Sequence, residues 1–349
     1  MNYKEIIPAA DELIRNGGVT RDNIFTHGTL AELFRNANEI RERFYGKDVY
    51  LRGLIEFTSY CRNDCYYCGL CRSNSRAERY RLTEEEILLS AENGHRIGFR
   101  TFVLQGGEDP YFTDEKLLPI IEKLRTRYPD CAITLSLGER SRESYEALRK
   151  AGADRYLLRH ETADSVHYGK LHPQTMSLDN RKKCLFTLKE IGFQTGAGFM
   201  VGSPFQTTAN LISDIDFLRE LCPEMVGIGP FISHKDTPFR DTPTPDSNYK
   251  LLMTLVLLAV IRVEFPNILL PATTALGTIH PKGREMGILS GANVIMPNLS
   301  PKANREKYML YDGKICTGEE AAECFACIGR RMAGIGYKIV VSRGDIAPA

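Results

Sequence analysis

The 349-residue chain lacks the features that mark membrane proteins and nucleic-acid-binding proteins. Its longest near-continuous apolar run, Leu251 to Ile261, ends at Arg262 after about eleven residues, well short of the roughly twenty that a bilayer requires. There is no excess of one charge, because 45 Lys and Arg balance 44 Asp and Glu, which argues against nucleic acid or an anionic membrane as the partner. The N-terminal residues are acidic where a signal peptide would be basic and then apolar, so we expect a cytoplasmic protein.

Two further absences bear on domain organisation and on cysteine chemistry. No stretch rich in Pro, Gly or Ser divides the chain. Ten cysteines are too few for a disulfide scaffold in a chain of this length, and without an export signal they should be reduced. Clustered cysteines are therefore expected to bind metal.

The cysteines form two clusters, and the remaining ones are isolated. The first cluster, Cys61, Cys65, Cys68 and Cys71, falls within eleven residues, and the second, Cys316, Cys324 and Cys327, lies near the C-terminus. The isolated cysteines, Cys131, Cys184 and Cys222, are interpreted as structural rather than metal-binding, and Cys184, which lies in a helical pattern, as a small buried hydrophobe. A structural zinc site is the competing interpretation for the first cluster, but no histidine lies nearby to complete a closed tetrahedron. Three thiolates on one loop suit a 4Fe-4S cube whose fourth iron stays open. Cys71 is interpreted as a spare thiol, and a fourth ligand is the alternative.

Eight β-rich runs alternate with amphipathic helical patterns, which predicts parallel βα repeats. Eight units over about 250 residues predict an α/β fold, a (β/α)8 TIM barrel spanning residues 49–298. Residues 1–48 are predicted to form a helical cap on the barrel floor, and residues 299–349 a C-terminal cap with the second cysteine cluster, all in one structural unit. A doubly wound open sheet is the alternative, but it would need a glycine-rich phosphate loop after its first strand. The predicted strands are 49–57, 101–105, 132–137, 155–159, 194–201, 225–229, 269–274 and 293–296.

The chemistry of such a barrel lies at the carboxyl ends of its strands, and the polar segments of this sequence fall there. The motif CxxxCxxC follows strand one, GGEDP follows strand two, LGE follows strand three and RHET follows strand four. Strand seven ends in TTA and strand eight in MPN. We therefore expect one site at this end of the barrel.

The motif CxxxCxxC, with the aromatic residue Tyr67 directly before its third cysteine, resembles the signature of radical S-adenosylmethionine (SAM) enzymes. The resemblance implies a 4Fe-4S cluster on Cys61, Cys65 and Cys68 whose open iron chelates SAM and whose electron cleaves SAM to a 5′-deoxyadenosyl radical. The physical logic agrees with this, because three thiolates fix the cube and a barrel lumen keeps a radical away from water.

Within that superfamily the chain resembles the HydE maturases of FeFe hydrogenase, in order and over most of its length. Biotin synthase and methylornithine synthase share the barrel and the cysteine loop, but RHETA, PATTA and NVIMPN fit HydE better than either. The segments that carry the resemblance are IEFTSYCRNDCYYCGL, LQGGEDPY, TLSLGE, AGADRYLLRHETA, TGAGFMVGSP, MVGIGPFISHKDTP, PATTALGTI and GANVIMPN.

The resemblance implies which residues bind SAM. The stretch Gly106, Gly107 and Glu108 is expected to receive the amino group, Glu161 the ribose hydroxyls and Arg181 the carboxylate. These roles are chemically apt, since a carboxylate accepts hydroxyl donors and a guanidinium forks onto a carboxylate. The alternatives are a helix cap for either glutamate and a solvated helix residue for Arg181.

The resemblance also places an anion- and metal-complex-binding surface deeper in the barrel, formed by Thr134, Arg155, Arg159, Thr273, Thr274, Met296 and Tyr308. Arginines inside an apolar strand are costly unless paired, so Arg155 and Arg159 favour an anionic partner, unless one of them pairs with the helices instead. His160, between Arg159 and Glu161, should point away from whatever its neighbours face and is predicted to be a packed histidine.

The function that the resemblance implies is the maturation of FeFe hydrogenase. The substrate would be the iron complex with carbon monoxide, cyanide and cysteine ligands that HydG makes, the product would pass toward HydF, and a flavodoxin or ferredoxin would donate electrons. The spacing of the second cysteine cluster is that of an auxiliary 2Fe-2S or 4Fe-4S cluster in some HydE proteins, and a labile zinc or an empty thiol set is the alternative. A radical SAM amino-acid mutase of the methylornithine synthase type and a non-catalytic iron-complex carrier remain the alternative functions.

Overall fold

The computed structural model describes residues 2–318 and 321–348. Its helices are α1 Tyr3–Arg15, α2 Gly28–Tyr45, α3 Glu84–Arg96, α4 Asp114–Arg127, α5 Arg142–Lys150, α6 Ser165–Leu171, α7 Leu178–Ile191, α8 Thr208–Leu221, α9 Ser247–Glu264, α10 Thr274–Ile279, α11 Gly283–Leu289, α12 Lys302–Arg305 and α13 Ala321–Ala333. Its strands are β1 Asp48–Leu51, β2 Gly53–Thr58, β3 Thr101–Gly106, β4 Ala132–Ser136, β5 Arg155–Leu157, β6 Gln194–Ala197, β7 Met200–Val201, β8 Met225–Val226, β9 Gly229–Pro230, β10 Val294–Ile295 and β11 Lys338–Val340.

The parallel strands close into a barrel. Six of them pair in the order β2-β3-β4-β5-β6-β8. Single bridges complete the ring, from Met225 to Leu269, from Pro271 to Val294 and from Asn298 back to Leu54 on β2. The predicted strand at 269–274 is therefore present as bridges rather than as a regular strand. Because the ring returns to its first strand, the predicted (β/α)8 barrel is confirmed over the described residues and the open sheet is wrong.

The longest apolar run of the sequence is helix α9, which is covered on more than one side. It packs on β7 and β9 of the barrel and also against α1, α2 and α11. Among the described residues before β1, α1 packs on α8 and α9 and α2 packs on α9, outside the ring of strands. At the floor, Arg41 of α2 donates to the carbonyls of Asp48 and Ala292. Among the described helices, none combines the length and hydropathy that a membrane span needs.

The C-terminal residues are attached to both ends of the barrel. At the mouth, the carbonyl of Leu310 accepts the N–H of Gly69, and the N–H of Asp312 donates to the carbonyl of Ser233. At the floor, β11 pairs in parallel with β1. The predicted boundaries at residues 48 and 298 stay predictions, but the segment after 298 contributes to the site as well as to the floor.

Candidate active site

The loop that carries the first cysteine cluster follows β2 and is held in shape by one arginine. The guanidinium of Arg79 donates to the carbonyls of Leu70 at 3.0 Å and Cys71 at 2.7 Å, and also to those of Ser59 and Asn74. These bonds replace the regular hydrogen bonding that an irregular loop lacks, so the cysteines project from a fixed backbone.

The thiols of Cys61, Cys65 and Cys68 are close enough for their charges to interact. Burial raises the pKa of Cys61, that of Cys68 strongly, and that of Cys65 to about 12. For Cys65 and Cys68 the neighbouring thiols add to the increase in pKa. The N–H of Leu70 donates to the sulfur of Cys68 at 3.4 Å, and Met176 brings its thioether within 3.8 Å of the sulfur of Cys65. Three partly buried thiols with raised pKa values, which a bound cation would help to ionise, and a backbone donor aimed at one sulfur fit a cluster with three protein ligands.

Cys71 is buried beside this cluster, and its sulfur lies 3.8 Å from the hydroxyl of Ser73. Its N–H donates to the carbonyl of Cys68, which continues the tight turn of the loop. The prediction that Cys71 is a spare thiol is compatible with this placement and stays a prediction.

The GGE stretch packs directly against the cysteine loop. A Cβ on Gly107 would collide with the carbonyl of Tyr60 and crowd the Cβ of Cys61, so only glycine allows this approach. The side chain of Glu108 lies against Gly138, which has a φ of 75°. Because Gly138 has no side chain, the space beside it is open for the Glu108 carboxylate. The sequence therefore positions Glu108 beside the thiols through two glycines.

Glu108 belongs to a network of carboxylates and guanidinium groups. One oxygen of Glu108 accepts the N–H of Glu139 at 3.1 Å and lies 3.6 Å from Nη2 of Arg181, and the other accepts Nε of Arg62 at 3.1 Å. Arg181 places its Nε 2.7 Å from Oε1 of Glu139. Burial alone would lower the pKa of Arg181, but Glu139 and Glu108 outweigh it and raise the pKa. Arg181 thus stays charged while facing the site.

A cavity of about 630 Å³ opens at this network. Its walls come from the cysteine loop, from the ends of β3 and β4, and from the segment before α7, and they include Arg62, Asp64, Glu108, Glu139, Met176 and Asn180. The cavity is polar, and it is adjacent to the thiols, so it can receive a charged cofactor.

Tyr67 reaches from the cysteine loop to a buried histidine. Its hydroxyl lies 3.1 Å from Nε2 of His172, whose Nδ1 lies 3.0 Å from the carbonyl of Tyr168. Burial lowers the pKa of His172 to about 3, so the ring is neutral, donates through Nδ1 and accepts the hydroxyl of Tyr67 through Nε2. The His172 ring also stacks on Tyr168 at 3.9 Å. The hydrogen bond to this held histidine fixes the side chain of Tyr67, the aromatic residue within the cysteine motif.

The end of β5 presents Arg159 and Glu161 to the mouth of the barrel. Glu161 has a φ of 66°, and its Oε2 lies 3.2 Å from Nη2 of Arg159. This is an ion-pair contact whose angle is outside hydrogen-bond geometry. Within the described residues, the buried atoms Nε and Nη2 of Arg159 and Oε2 of Glu161 therefore make no hydrogen bond. His160 points the other way and is fully buried against Phe199 and Phe217, so the prediction of a packed histidine is confirmed.

Other predicted lumen residues offer polar atoms to a ligand. The hydroxyls of Thr134 and Thr273 are buried and have no hydrogen-bond partner within the part of the chain that the structure describes. Tyr308 is buried, its hydroxyl accepts from Gln105 at 3.4 Å, and burial raises its pKa strongly. Thr274 begins α10, and Met296 packs with the apolar group around Met225 and Leu269. Buried polar atoms without partners are the expected lining of a ligand site.

Arg155 does not join this set. It begins β5, at the opposite end of the strand from Arg159, and its guanidinium donates to Gln194, to Thr101 and to the carbonyls of 343 and 344. It also pairs with Asp345 at 2.6 Å. The sequence predicts an anionic partner for Arg155. Its anionic partner is Asp345 of the chain itself, supported by two carbonyls, so Arg155 is not left to bind a ligand.

The second cysteine cluster lies apart from the barrel mouth, around α13. Cys324 is buried and Cys327 is exposed, while Cys316 accepts from Nη2 of Arg284 at 3.4 Å. The pKa of Arg331 is raised first by its bond to Glu285 and then by Cys327 and Cys316, so these two thiols lie near one guanidinium. Residues 319 and 320 of this segment lie outside the described residues.

Several groups in the site were not among the residues predicted from the sequence, and three of them position predicted ones. Glu139 orients Arg181, Arg79 fixes the cysteine loop, and His172 holds Tyr67. Only Glu139 had a signal in the sequence, because LGE stands at the carboxyl end of a predicted strand.

Comparison with known proteins identifies the relatives of this chain. Residues 55–218 match the radical SAM superfamily. The [FeFe] hydrogenase maturase subunit HydE of Thermotoga maritima is 48% identical over 316 residues, which are 90% of this chain and 89% of that protein. The 3-methylornithine synthase of Methanosarcina barkeri is 29% identical, over 88% of this chain and 85% of that protein.

The solved structures include similar folds. The crystal structure of methylornithine synthase (PylB) aligns with a TM-score of 0.77 at 24% identity, covering 95% of this chain and 97% of that one. This similarity shows that the barrel, including its N-terminal and C-terminal additions, has a counterpart of nearly the same extent.

Proposed function

Because this chain belongs to the HydE family of radical SAM enzymes, we propose that it acts in FeFe-hydrogenase maturation on an iron-bound cysteine complex with carbon monoxide and cyanide ligands. The observation that carries the proposal is the pairing of three mutually close, partly buried thiols with a polar lumen whose donors lack partners among the described residues. The relative named HydE is 48% identical and the methylornithine synthase is 29% identical, which favours the maturase over the mutase.

Family membership implies a 4Fe-4S cluster and SAM, and the chain provides a place for both. When bound, the cluster supplies the electron that cleaves SAM to methionine and a 5′-deoxyadenosyl radical. Cys61, Cys65 and Cys68 would hold the cluster. Glu108 would accept the amino group of SAM, and Arg181, already oriented by Glu139, would donate to its carboxylate.

The substrate would lie deeper in the lumen than SAM. Arg159 offers a partly buried cation with two buried nitrogens, and Thr134 and Thr273 offer hydroxyls whose hydrogen bonds are not made within the described chain. These donors suit cyanide and carboxylate groups on an iron complex. Glu161 would bind the ribose hydroxyls, and Tyr308 and Thr274 would line the same space.

The partners follow from the same assignment. HydG would supply the complex, HydF would receive the product, and a flavodoxin or ferredoxin would donate electrons. An auxiliary 2Fe-2S or 4Fe-4S cluster would use Cys316, Cys324 and Cys327, near Arg284 and Arg331.

The test is SAM cleavage by protein reconstituted anaerobically with iron and sulfide. With a strong reductant the wild type should form 5′-deoxyadenosine, and Cys61→Ala, Cys65→Ala and Cys68→Ala should each abolish it, measured by liquid chromatography. Cys222→Ala is the matched control, because Cys222 is an isolated, exposed thiol, and it should keep wild-type activity. Binding of an iron complex without 5′-deoxyadenosine would indicate a carrier, and formation of methylornithine from lysine would indicate the mutase; either result would contradict the proposal.

A further inference from the structure

Glu161 is held in a backbone conformation that glutamate rarely adopts. Its φ of 66° lies in the left-handed region, where a side chain with a Cβ is crowded by its own backbone. Such a residue keeps this conformation only where the surroundings impose it, and such positions are often functional. The contacts on both sides of Glu161 therefore decide where its carboxylate points.

The neighbouring strand fixes the peptide groups of Glu161 itself. Its N–H donates to the carbonyl of Gly198 at 3.0 Å, and its carbonyl accepts the N–H of Met200 at 3.3 Å. These bonds place the residue on the barrel wall. These bonds lie on one side of the turn formed by residues 160–163. The other side of that turn is contacted by α8.

The residue before Glu161 is held through a neutral histidine. Nδ1 of His160 accepts the N–H of Gly198 at 3.3 Å, so the proton of the ring is on Nε2. Nε2 lies 3.3 Å from Oδ1 of Asp214, a close contact whose angle is outside hydrogen-bond geometry. Both side chains are fully buried, and burial lowers the pKa of His160 to about 3. The ring therefore has one proton, and it packs against Asp214 while its other nitrogen is bonded to the backbone of Gly198.

The second residue after Glu161 is held by the same oxygen. Oδ1 of Asp214 accepts the N–H of Ala163 at 2.6 Å. Asp214 lies on α8, outside the ring of strands, and contacts the turn on both sides of Glu161. No other described carboxylate hydrogen-bonds the backbone of residues 160–163.

We propose that Asp214 and His160 are positioning residues that hold Glu161 in its left-handed conformation and so aim its carboxylate into the barrel mouth. This inference rests on the proposed role of Glu161 in binding the ribose of SAM. Neither side chain touches the site, because both lie behind the strand layer. Their contribution is to SAM affinity and not to the chemical step.

The first test is SAM binding to the reconstituted enzyme by equilibrium dialysis. Asp214→Ala should weaken SAM binding about tenfold, the effect of releasing a strained turn, while the rate at saturating SAM stays near that of the wild type. Asp214→Asn keeps Oδ1 for Ala163 and His160 and should bind within about threefold of the wild type. An Asn variant as weak as the Ala variant would overturn the inference.

The matched control is Asp154→Ala at the floor of the same barrel. Asp154 also accepts a backbone N–H, that of Ile133 at 2.7 Å, but it lies at the opposite end of the strands. This variant should lose thermal stability and keep its SAM affinity. Equal loss of SAM affinity in both variants would show a general destabilisation and overturn the inference.

A double-mutant cycle separates this inference from the proposed function. In the Glu161→Ala background, Asp214→Ala should have no further effect on SAM affinity. If the two effects simply add, Asp214 does not act through Glu161 and the inference alone fails. If Glu161→Ala binds SAM normally, the ribose role fails and the inference fails with it.

A last measurement needs no cofactor. In the cluster-free protein, amide hydrogen exchange at Ala163 and Glu161 should be faster in Asp214→Ala than in the wild type, and unchanged in Asp154→Ala. Unchanged protection of both amides in Asp214→Ala would overturn the inference.

Discussion

Charged side chains in this barrel fall into two kinds, those that the protein satisfies and those that it leaves in part for a ligand. Arg155 is surrounded by acceptors, whereas Arg159, four residues later, has an ion-pair contact with Glu161 at 3.2 Å and two buried nitrogens, Nε and Nη2, without hydrogen bonds in the described chain. A buried polar group without a partner costs about 1–3 kcal/mol, so such atoms point to a ligand rather than to stability. Glu56 is of the first kind, because it accepts from Lys314 at 2.6 Å and from Asn298 at 2.7 Å.

The Glu56–Lys314 pair predicts a large and pH-dependent loss of stability. The side chains are only 1% and 8% exposed, so Lys314→Met leaves a buried carboxylate uncompensated and should cost about 3–5 kcal/mol at pH 8. Burial already raises the pKa of Glu56, and removing Lys314 raises it further. As the pH falls, Glu56 of the folded variant takes up its proton at a higher pH than Glu56 of the unfolded chain. The loss of unfolding free energy in Lys314→Met, relative to the wild type, should therefore shrink as the pH falls toward 5. Urea unfolding at both pH values measures this.

A control for that prediction lies in the same segment. Lys307 pairs with Glu78, and their side chains are 31% and 67% exposed, so Lys307→Met should change stability by less than about 1 kcal/mol. A Lys314→Met deficit that is as small as this, or that does not depend on pH, would contradict the assignment of Glu56 as a buried carboxylate that needs its cation.

At the scale of the element, the cysteine loop shows how an irregular segment becomes a rigid ligand set. Its backbone bonds run to Arg79 rather than to a neighbouring strand, and its glycine contacts let β3 and the segment around Met309 approach closely. The motif alone specifies three sulfurs in sequence. The long-range packing of the loop specifies where those sulfurs lie relative to Glu108 and to the cavity.

Arg79→Ala should therefore weaken cluster retention without removing a ligand. A hydrogen bond to a charged group contributes about 1.5–3 kcal/mol, so loss of the bonds to the loop carbonyls should speed iron loss to a chelator by about tenfold or more. Arg76→Ala is the control, since Arg76 is 76% exposed and bonds only to Asp236 among the partners described. The measurement is iron release followed by absorbance. Equal rates in the two variants would show that Arg79 does not hold the loop.

At the scale of the whole molecule, the ends of the chain complete the barrel. The N-terminal helices cover the apolar helix α9, and residues 343–345 cover Arg155 at the floor. Both additions bury groups that a bare barrel would expose, namely an apolar face and a guanidinium. The barrel and its additions are therefore expected to unfold together.

The floor contact predicts a stability loss that depends on pH. Burial alone would raise the pKa of Asp345, but Arg343 and Arg155 outweigh it and hold the pKa below the ordinary 3.8. A depressed carboxyl pKa gives stability that is present above that value and is lost as the pH falls below it. Asp345→Asn should cost about 1 kcal/mol at pH 7, a low figure because Asp345 is 42% exposed, and the difference should narrow near pH 3.

Asp241→Asn is the control for the floor contact. Within the described residues Asp241 pairs only with its neighbour Arg240, and the two side chains are 82% and 61% exposed, so its replacement should leave the urea midpoint at pH 7 unchanged. If Asp345→Asn behaves in the same way, the C-terminal residues do not stabilise the floor.

The sequence by itself determined the eight βα units, the three-thiol motif and the strand ends at which polar residues gather, because each depends on spacing along the chain. Only the tertiary structure decided which of these groups meet. Arg155 and Arg159 share a strand face, since that face repeats every two residues, yet they lie at opposite ends of the strand. Arg155 is paired by residues 343–345, and Arg181 is oriented by Glu139, which follows β4. Both partners are distant along the chain, and no local sequence pattern encodes such contacts.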